Sequence, residues 1–137
     1  MNTHDNPSPM LVAQRIRNRL IEYFETTASY PMQQAFQLNV PAVHVPTEII
    51  NQWEDWVDTQ RLDGFIEPVF SQAEQVALRE FHEVWEGAVK DTPTQMPELS
   101  DLIGKAPWER LRQAAEKALW VFNTRGKLNE EQDAFPS

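Results

Sequence analysis

The chain has 137 residues, of which 41% are hydrophobic and 24% are charged, and its formal net charge is −9. This length suits a single domain with a sizeable core, and no apolar run is long enough to cross a bilayer. The absence of cysteine excludes disulfides, thiol nucleophiles and cysteine-type zinc sites. The first residues lack the basic and apolar regions of a signal peptide, so we expect a cytoplasmic protein.

Acidic charge is concentrated in the middle of the chain. Residues 41–90 contain three arginines and lysines against ten aspartates and glutamates, a balance of −7. A negative field repels phosphate backbones and attracts basic proteins. The charge therefore argues against nucleic-acid binding and favours a basic protein partner, although many proteins are acidic without one.

A first helix is predicted from Ser8-Pro9, as N-cap and first residue, to about Ser29. Its apolar stripe consists of Val12, Ile16, Leu20, Tyr23 and Phe24. Arg17 projects into the apolar half of this helix, so we expect it to pair with a carboxylate of the acidic middle. After Tyr30-Pro31, a short helix over residues 31–39 would place Met32, Ala35 and Phe36 inward.

Residues 40–57 form the most distinctive stretch of the chain. Pro41 and Pro46 bracket a segment that should be extended. Thr47 is the predicted N-cap of the next helix, and Glu48 lies in its first turn. Helical spacing then gives this helix one apolar and one acidic face. The apolar face carries Ile49, Ile50, Trp53, Trp56 and Val57, and the acidic face carries Glu54, Asp55 and Asp58.

Two further long helices are predicted in the second half of the chain. Ser71 and Glu74 have the spacing of a capping box, which opens a helix running to about residue 89. Its apolar stripe consists of Val76, Ala77, Phe81, Val84, Trp85 and Ala88. A short helix over residues 98–103 precedes the last long helix, from Pro107 to about Arg125. Residues 127–137 are mostly polar, which predicts a disordered tail.

These patterns predict an all-α fold. We expect one domain over residues 1–126, a helical bundle of four main helices with one or two short helices and the extended proline-bracketed segment. The four glycines are isolated, so no phosphate-binding loop is present. No serine lies in a G-x-S-x-G nucleophile motif.

Two histidines are candidates for chemistry. His82 and Glu86 lie one helical turn apart and are a possible pair of metal ligands, although a partly buried, hydrogen-bonded His82 is the simpler interpretation. His44 is held between two prolines and could act as a general base with Glu48 or Glu54. Alternation between Val43 and Val45 would instead turn His44 outward. We expect no cofactor and no resident metal.

The tryptophans divide into two groups. Trp53, Trp85 and Trp108 fall within apolar stripes and are predicted core residues, whereas Trp120 falls on the polar face of the last helix. The simpler expectation is that the 91–104 loop or the tail covers Trp120. Otherwise it belongs to a partner surface, where tryptophan is over-represented.

Two classes of function remain. In the first, an interaction protein of the inhibitor, immunity or regulatory type binds a basic protein. Its partner-binding residues would be Glu54, Asp55, Trp56, Asp58 and Trp120. In the second, a small enzyme or ligand-binding protein uses a pocket around His44. The first class is the expected one. It involves neither nucleic acid nor a membrane, and it is compatible with a homo-oligomer.

Overall fold

The computed structural model describes residues 6–57, 59–93 and 95–136. For residues 59–61 it describes the backbone alone. Over these ranges the protein is all-helical without strands, which confirms the predicted fold class. The helices in chain order are α1 (Pro9–Thr27), α2 (Tyr30–Asn39), α3 (Val45–Trp56), α4 (Thr59–Gly64), α5 (Gln72–Asp91), α6 (Leu99–Leu102) and α7 (Ala106–Phe122). In the described part of the chain, no helix has both the length and the apolar character needed to span a membrane.

The core forms where four helices bring aromatic side chains together. Helix α7 packs along α5 and against α1, and α2 and α3 pack against α1. Trp53 of α3 lies 4.6 Å from Phe81 of α5, and Phe24 of α1 lies 5.1 Å from Phe81 and 5.8 Å from Phe122 of α7, between ring centroids. All four rings are fully buried, and each contributes about 1.5 to 3 kcal/mol.

The predicted helix starts at Ser8 and Ser71 are confirmed. The Ser8 hydroxyl accepts a hydrogen bond from the Leu11 N–H at 3.0 Å. At α5, the Glu74 N–H donates to Ser71 Oγ and the Ser71 N–H donates to Glu74 Oε1, which completes the capping box. Both helices are therefore fixed at their N-termini by local side chains.

Arg17 pairs with Glu74, as expected for a guanidinium on the apolar side of a helix. Arg17 Nη1 lies 2.6 Å from Glu74 Oε1, and Arg125 approaches the same oxygen at 2.6 Å. Burial opposes ionisation of Glu74, but hydrogen bonds from Arg17, Arg125 and the Ser71 N–H outweigh it and hold the pKa of this carboxyl below its usual value. The pair joins α1 to α5 and to the end of α7.

Several predicted apolar positions face outward instead. Val12 is 40% exposed, Met32 is 47% exposed and Val76 is 56% exposed. The polar side chains of Gln14 and Gln33 are buried in α1 and α2. Periodicity locates an apolar sector but not the neighbour that covers it, and buried amides are stable where main-chain groups satisfy them.

Helix α3 begins nearly one turn before its predicted start. Its N-cap is His44 rather than Thr47, because the His44 ring nitrogen Nδ1 accepts the Thr47 N–H at 3.3 Å. Pro46 fits into the first turn, where its missing N–H leaves no donor unsatisfied. The proline-bracketed segment is therefore shorter than predicted and includes a turn closed by the Val43 N–H on the Val40 carbonyl.

Residues 127–136 lie along α1, although the sequence predicted a disordered tail. The Asn18 side chain donates to the Leu128 carbonyl and accepts from the Leu128 N–H. Gln14 donates to the Gln132 carbonyl and accepts from the Ala134 N–H. A polar segment can be ordered when its main-chain groups find partners, and these contacts supply such partners to the described part of the tail.

Candidate functional site in the cleft between α1, α2 and α3

The imidazole of His44 serves as a helix cap. Its Nδ1 lies 2.7 Å from the Thr47 hydroxyl, and its Nε2 is 3.8 Å from the carboxylate of Glu98. Glu48 accepts a hydrogen bond from Gln52, and Glu54 makes no ion pair with any described residue. The structure therefore does not join His44 to Glu48 or Glu54, the arrangement that a general base would need.

His82 is half-buried at the edge of the core. Trp53 Nε1–H donates to His82 Nδ1 at 3.1 Å, and the His82 ring stacks on Trp85 at 5.6 Å between centroids. Because Nδ1 accepts, Nε2 carries the proton in the neutral ring, 3.6 Å from the Glu86 carboxylate. Among the described residues, no three potential metal-binding side chains come together. His82 is therefore hydrogen-bonded to Trp53, and Glu86 lies beside it at ion-pair distance.

A cleft of about 470 Å³ opens between α1, α2 and α3. This volume lies within the range of small-molecule sites, about 300 to 1,000 Å³. The cleft combines charged, hydroxyl-bearing and aromatic side chains. Its lining consists of Arg19, Glu22, Tyr23, Thr26, Thr27, Phe36, Ile49, Gln52, Asp55 and Trp56.

The charged groups of the cleft give it a negative balance. Glu22 pairs with Arg19 at 3.2 Å and with Lys127 at 2.9 Å, and Arg19 also pairs with Glu130 from the tail. Among the described residues, the lining has two carboxylates, on Glu22 and Asp55, and one guanidinium, on Arg19, a formal balance of −1. Lys127 and Glu130 of the tail therefore hold Glu22 and Arg19 in position on the α1 side of the cleft.

Two hydroxyl groups lie at the buried end of the cleft. The Tyr23 hydroxyl donates to the Ile49 carbonyl at 2.9 Å, and burial raises the pKa of Tyr23 far above its usual value. Tyr23 is therefore neutral and protonated at any physiological pH. The buried Thr27 hydroxyl is close enough to influence Tyr23, yet it forms no hydrogen bond of good geometry with any described residue. Such an atom marks a place where a ligand or a water can bind.

The cleft unites only part of the predicted partner-binding set. Asp55 and Trp56 line it, whereas Glu54 is exposed outside it. Asp58 lies outside the described residues. Trp120 does not line the cleft, and neither the described loop nor the tail covers it, since its side chain is 78% exposed. Cover by another segment, the simpler expectation for Trp120, is therefore not found.

The residues that sequence reasoning missed come from other helices. Glu22, Thr27 and Phe36 belong to α1 and α2, and no local pattern connects them to α3. Helical spacing predicted that Phe36 faces inward, but it could not predict which helix Phe36 would pack against. The chain matches no protein-family model, no curated protein and no solved structure. Function must therefore be inferred from the geometry of this chain.

Proposed function

We propose that the protein is an interaction protein of the inhibitor, immunity or regulatory type that binds a basic protein partner. The observation that carries this proposal is that Asp55 and Trp56 both line one cleft. Lysine and arginine side chains combine an apolar stem with a cationic head. The stem would pack on Trp56 and Phe36, and the head would face Asp55 and Glu22.

The charge around α3 supports the same kind of partner. Glu48 and Glu54 of α3 and Glu83 of α5 have no cation within ion-pair distance among the described residues. Uncompensated carboxylates attract a basic protein over distances of about 10 Å at moderate salt. The cleft then supplies a specific contact to a partner that the field has already attracted.

An enzymatic role at His44 has no comparable support. The ring nitrogen that a general base would use is the cap of α3, and the nearest carboxylate belongs to Glu98 rather than to Glu48 or Glu54. A cytoplasmic location and the exclusion of nucleic acids stay predictions from composition and charge.

The cleft can be tested with the amides of N-acetyl-arginine and N-acetyl-lysine, which mimic single side chains of a partner. We expect both to shift the indole N–H resonance of Trp56 in a saturable way, whereas N-acetyl-glutamine amide should not. Asp55→Asn should weaken binding about threefold to fivefold, the effect of one exposed charge. The matched control is Glu54→Gln, on the same helix but outside the cleft.

The natural partner can be sought by pull-down from host extract at about 50 mM and about 500 mM salt. We expect a basic protein that wild type retains at low salt and loses at high salt, and that Trp56→Ala fails to retain. Equal effects of Asp55→Asn and Glu54→Gln on the model compounds, or a partner insensitive to both salt and Trp56→Ala, would contradict the proposal.

A further inference from the structure

The N-cap of α3 is a titratable side chain. His44 Nδ1 accepts the hydrogen bond of the Thr47 N–H at 3.3 Å. The side chains that cap α1, α2 and α5 in the same way are the hydroxyl groups of Ser8, Ser29 and Ser71. A hydroxyl oxygen accepts at every physiological pH, whereas an imidazole nitrogen accepts only while it carries no proton. Because imidazole ordinarily changes its charge between about pH 5 and pH 8, the cap of α3 depends on pH and the serine caps do not.

In the neutral ring of His44 the two nitrogens have different roles. Nδ1 accepts from the Thr47 N–H and also lies 2.7 Å from the Thr47 hydroxyl. Nε2 then carries the proton, and it lies 3.8 Å from Glu98 Oε2 at the start of α6. This distance is too long for a hydrogen bond, and the Glu98 side chain is 73% exposed. The neutral ring therefore caps α3 without being bonded to α6.

Protonation of His44 changes both roles. An imidazolium has two N–H donors and no acceptor, so the Thr47 N–H loses its cap. Nδ1–H can instead donate to the Thr47 hydroxyl oxygen, which already lies 2.7 Å away. Nε2–H gains the charge-assisted attraction of the Glu98 carboxylate, which is within ion-pair distance. One proton thus exchanges a bond within α3 for a contact between α3 and α6.

The other titratable groups near the start of α3 do not take the place of Glu98. Helix α2 packs against α3 and contains no charged residue. Glu48, in the first turn of α3, accepts a side-chain amide one turn further along the helix. Tyr23 of α1 is neutral and donates to a carbonyl of α3, and Asp101 of α6 lines a separate cavity that does not include His44. Glu98 is therefore the carboxylate that faces the ring.

We propose that His44 is a pH-sensitive switch at the start of α3. The neutral imidazole caps the helix, and the imidazolium releases this cap and connects α3 to Glu98 of α6. The switch acts on the first turn of α3 rather than on the whole fold, since both states of the ring keep a contact with Thr47. It lies at the opposite end of α3 from Asp55 and Trp56, so it does not rest on the proposed partner cleft.

The test is amide hydrogen exchange at Thr47, expressed as protection relative to an unfolded peptide, between about pH 8 and pH 5. We expect the protection of the Thr47 N–H to fall about fivefold over this range, the loss typical of one N-cap. His44→Asn puts a preferred, non-titratable N-cap at the same position. This variant should fold, which circular dichroism can verify, and its Thr47 protection should be independent of pH. In Glu98→Gln the cap should persist to lower pH, because the imidazolium loses its counter-ion.

The matched control is His82→Gln, which removes a histidine of α5 whose Nδ1 accepts from Trp53. The glutamine oxygen can accept the same bond, so the pH dependence at Thr47 should stay as in wild type. Thr47 protection that is constant with pH in wild type, or that falls equally in His44→Asn, would overturn the inference. A fall over the same pH range in Glu98→Gln, or a pH dependence that disappears in His82→Gln, would overturn it as well.

Discussion

Arg17 shows how a full charge is stabilised inside this small core. Its guanidinium donates to Glu74, to the carbonyls of Val69 and Phe122, and through Nε to the Gly126 carbonyl. Every N–H group is used, which is the condition for burying an arginine without a large penalty. The sequence predicted that Arg17 needs a carboxylate. It could not identify Glu74, because Glu74 is also half of a capping box that seemed complete by itself.

Glu74→Gln should destabilise the fold by about 3 to 5 kcal/mol, because it leaves the Arg17 charge buried without its partner. Urea unfolding at neutral pH measures this difference. Glu83→Gln is the matched control on the same helix, since Glu83 is exposed, and it should change stability by less than about 0.5 kcal/mol. Equal effects of the two substitutions would contradict the role of the pair.

Wild type and Glu74→Gln should also differ in their response to acid. The pKa of Glu74 is lowered in the folded state, so its contribution is complete above the unfolded value of 4.5 and is lost as the pH falls through the folded value. The stability difference between wild type and Glu74→Gln should therefore shrink below about pH 4.5. A difference that is constant down to pH 2 would mean that the charge of Glu74 is not what stabilises the fold.

At the scale of elements, local sequence signals predicted where helices form but not which residues contact them. The caps at Ser8 and Ser71 are complete within four residues of sequence, so their helices begin where expected. The imidazole cap of α3 was missed because histidine is not a usual N-cap residue. The contacts of the tail with α1 were not predicted because Gln14 and Asn18 bind its main chain, and main-chain groups leave no mark in the sequence.

Deletion of residues 127–137 should destabilise the protein by about 2 kcal/mol, since Leu128 and Phe135 are each partly buried against the core. The free energy of unfolding in urea measures this loss. Glu131→Ser in the full chain is the control, because Glu131 is exposed. Amide exchange should show protection at Leu128 and Ala134, whose N–H groups bind Asn18 and Gln14. Unprotected amides and unchanged stability would show that the tail is free.

At the scale of the whole molecule, charge is distributed unevenly among the helices. The cleft beside α3 has a negative balance, and α7 has a positive surplus, in a chain of net −9. Composition predicted the negative total and its concentration in the middle of the chain. It could not predict that Asp55 and Trp56 would share a cleft while Trp120 lies exposed outside it. The fold, rather than any local pattern, decides which of the predicted partner-binding residues lie together.

The contact between the tail and the start of α1 also brings the two ends of the described chain side by side. The Ser8 hydroxyl donates to the Asp133 carboxylate, so a short glycine-serine linker could close the backbone into a ring. New ends could then be opened in the connection between α5 and α6, where Pro93 and Gln95 are exposed, since such sites tolerate circular permutation. The permutant should unfold cooperatively, with a melting temperature within about 5 °C of the parent in calorimetry. A permutant that fails to fold would mean that the covalent order of the helices, and not only their packing, determines whether this chain reaches its native state.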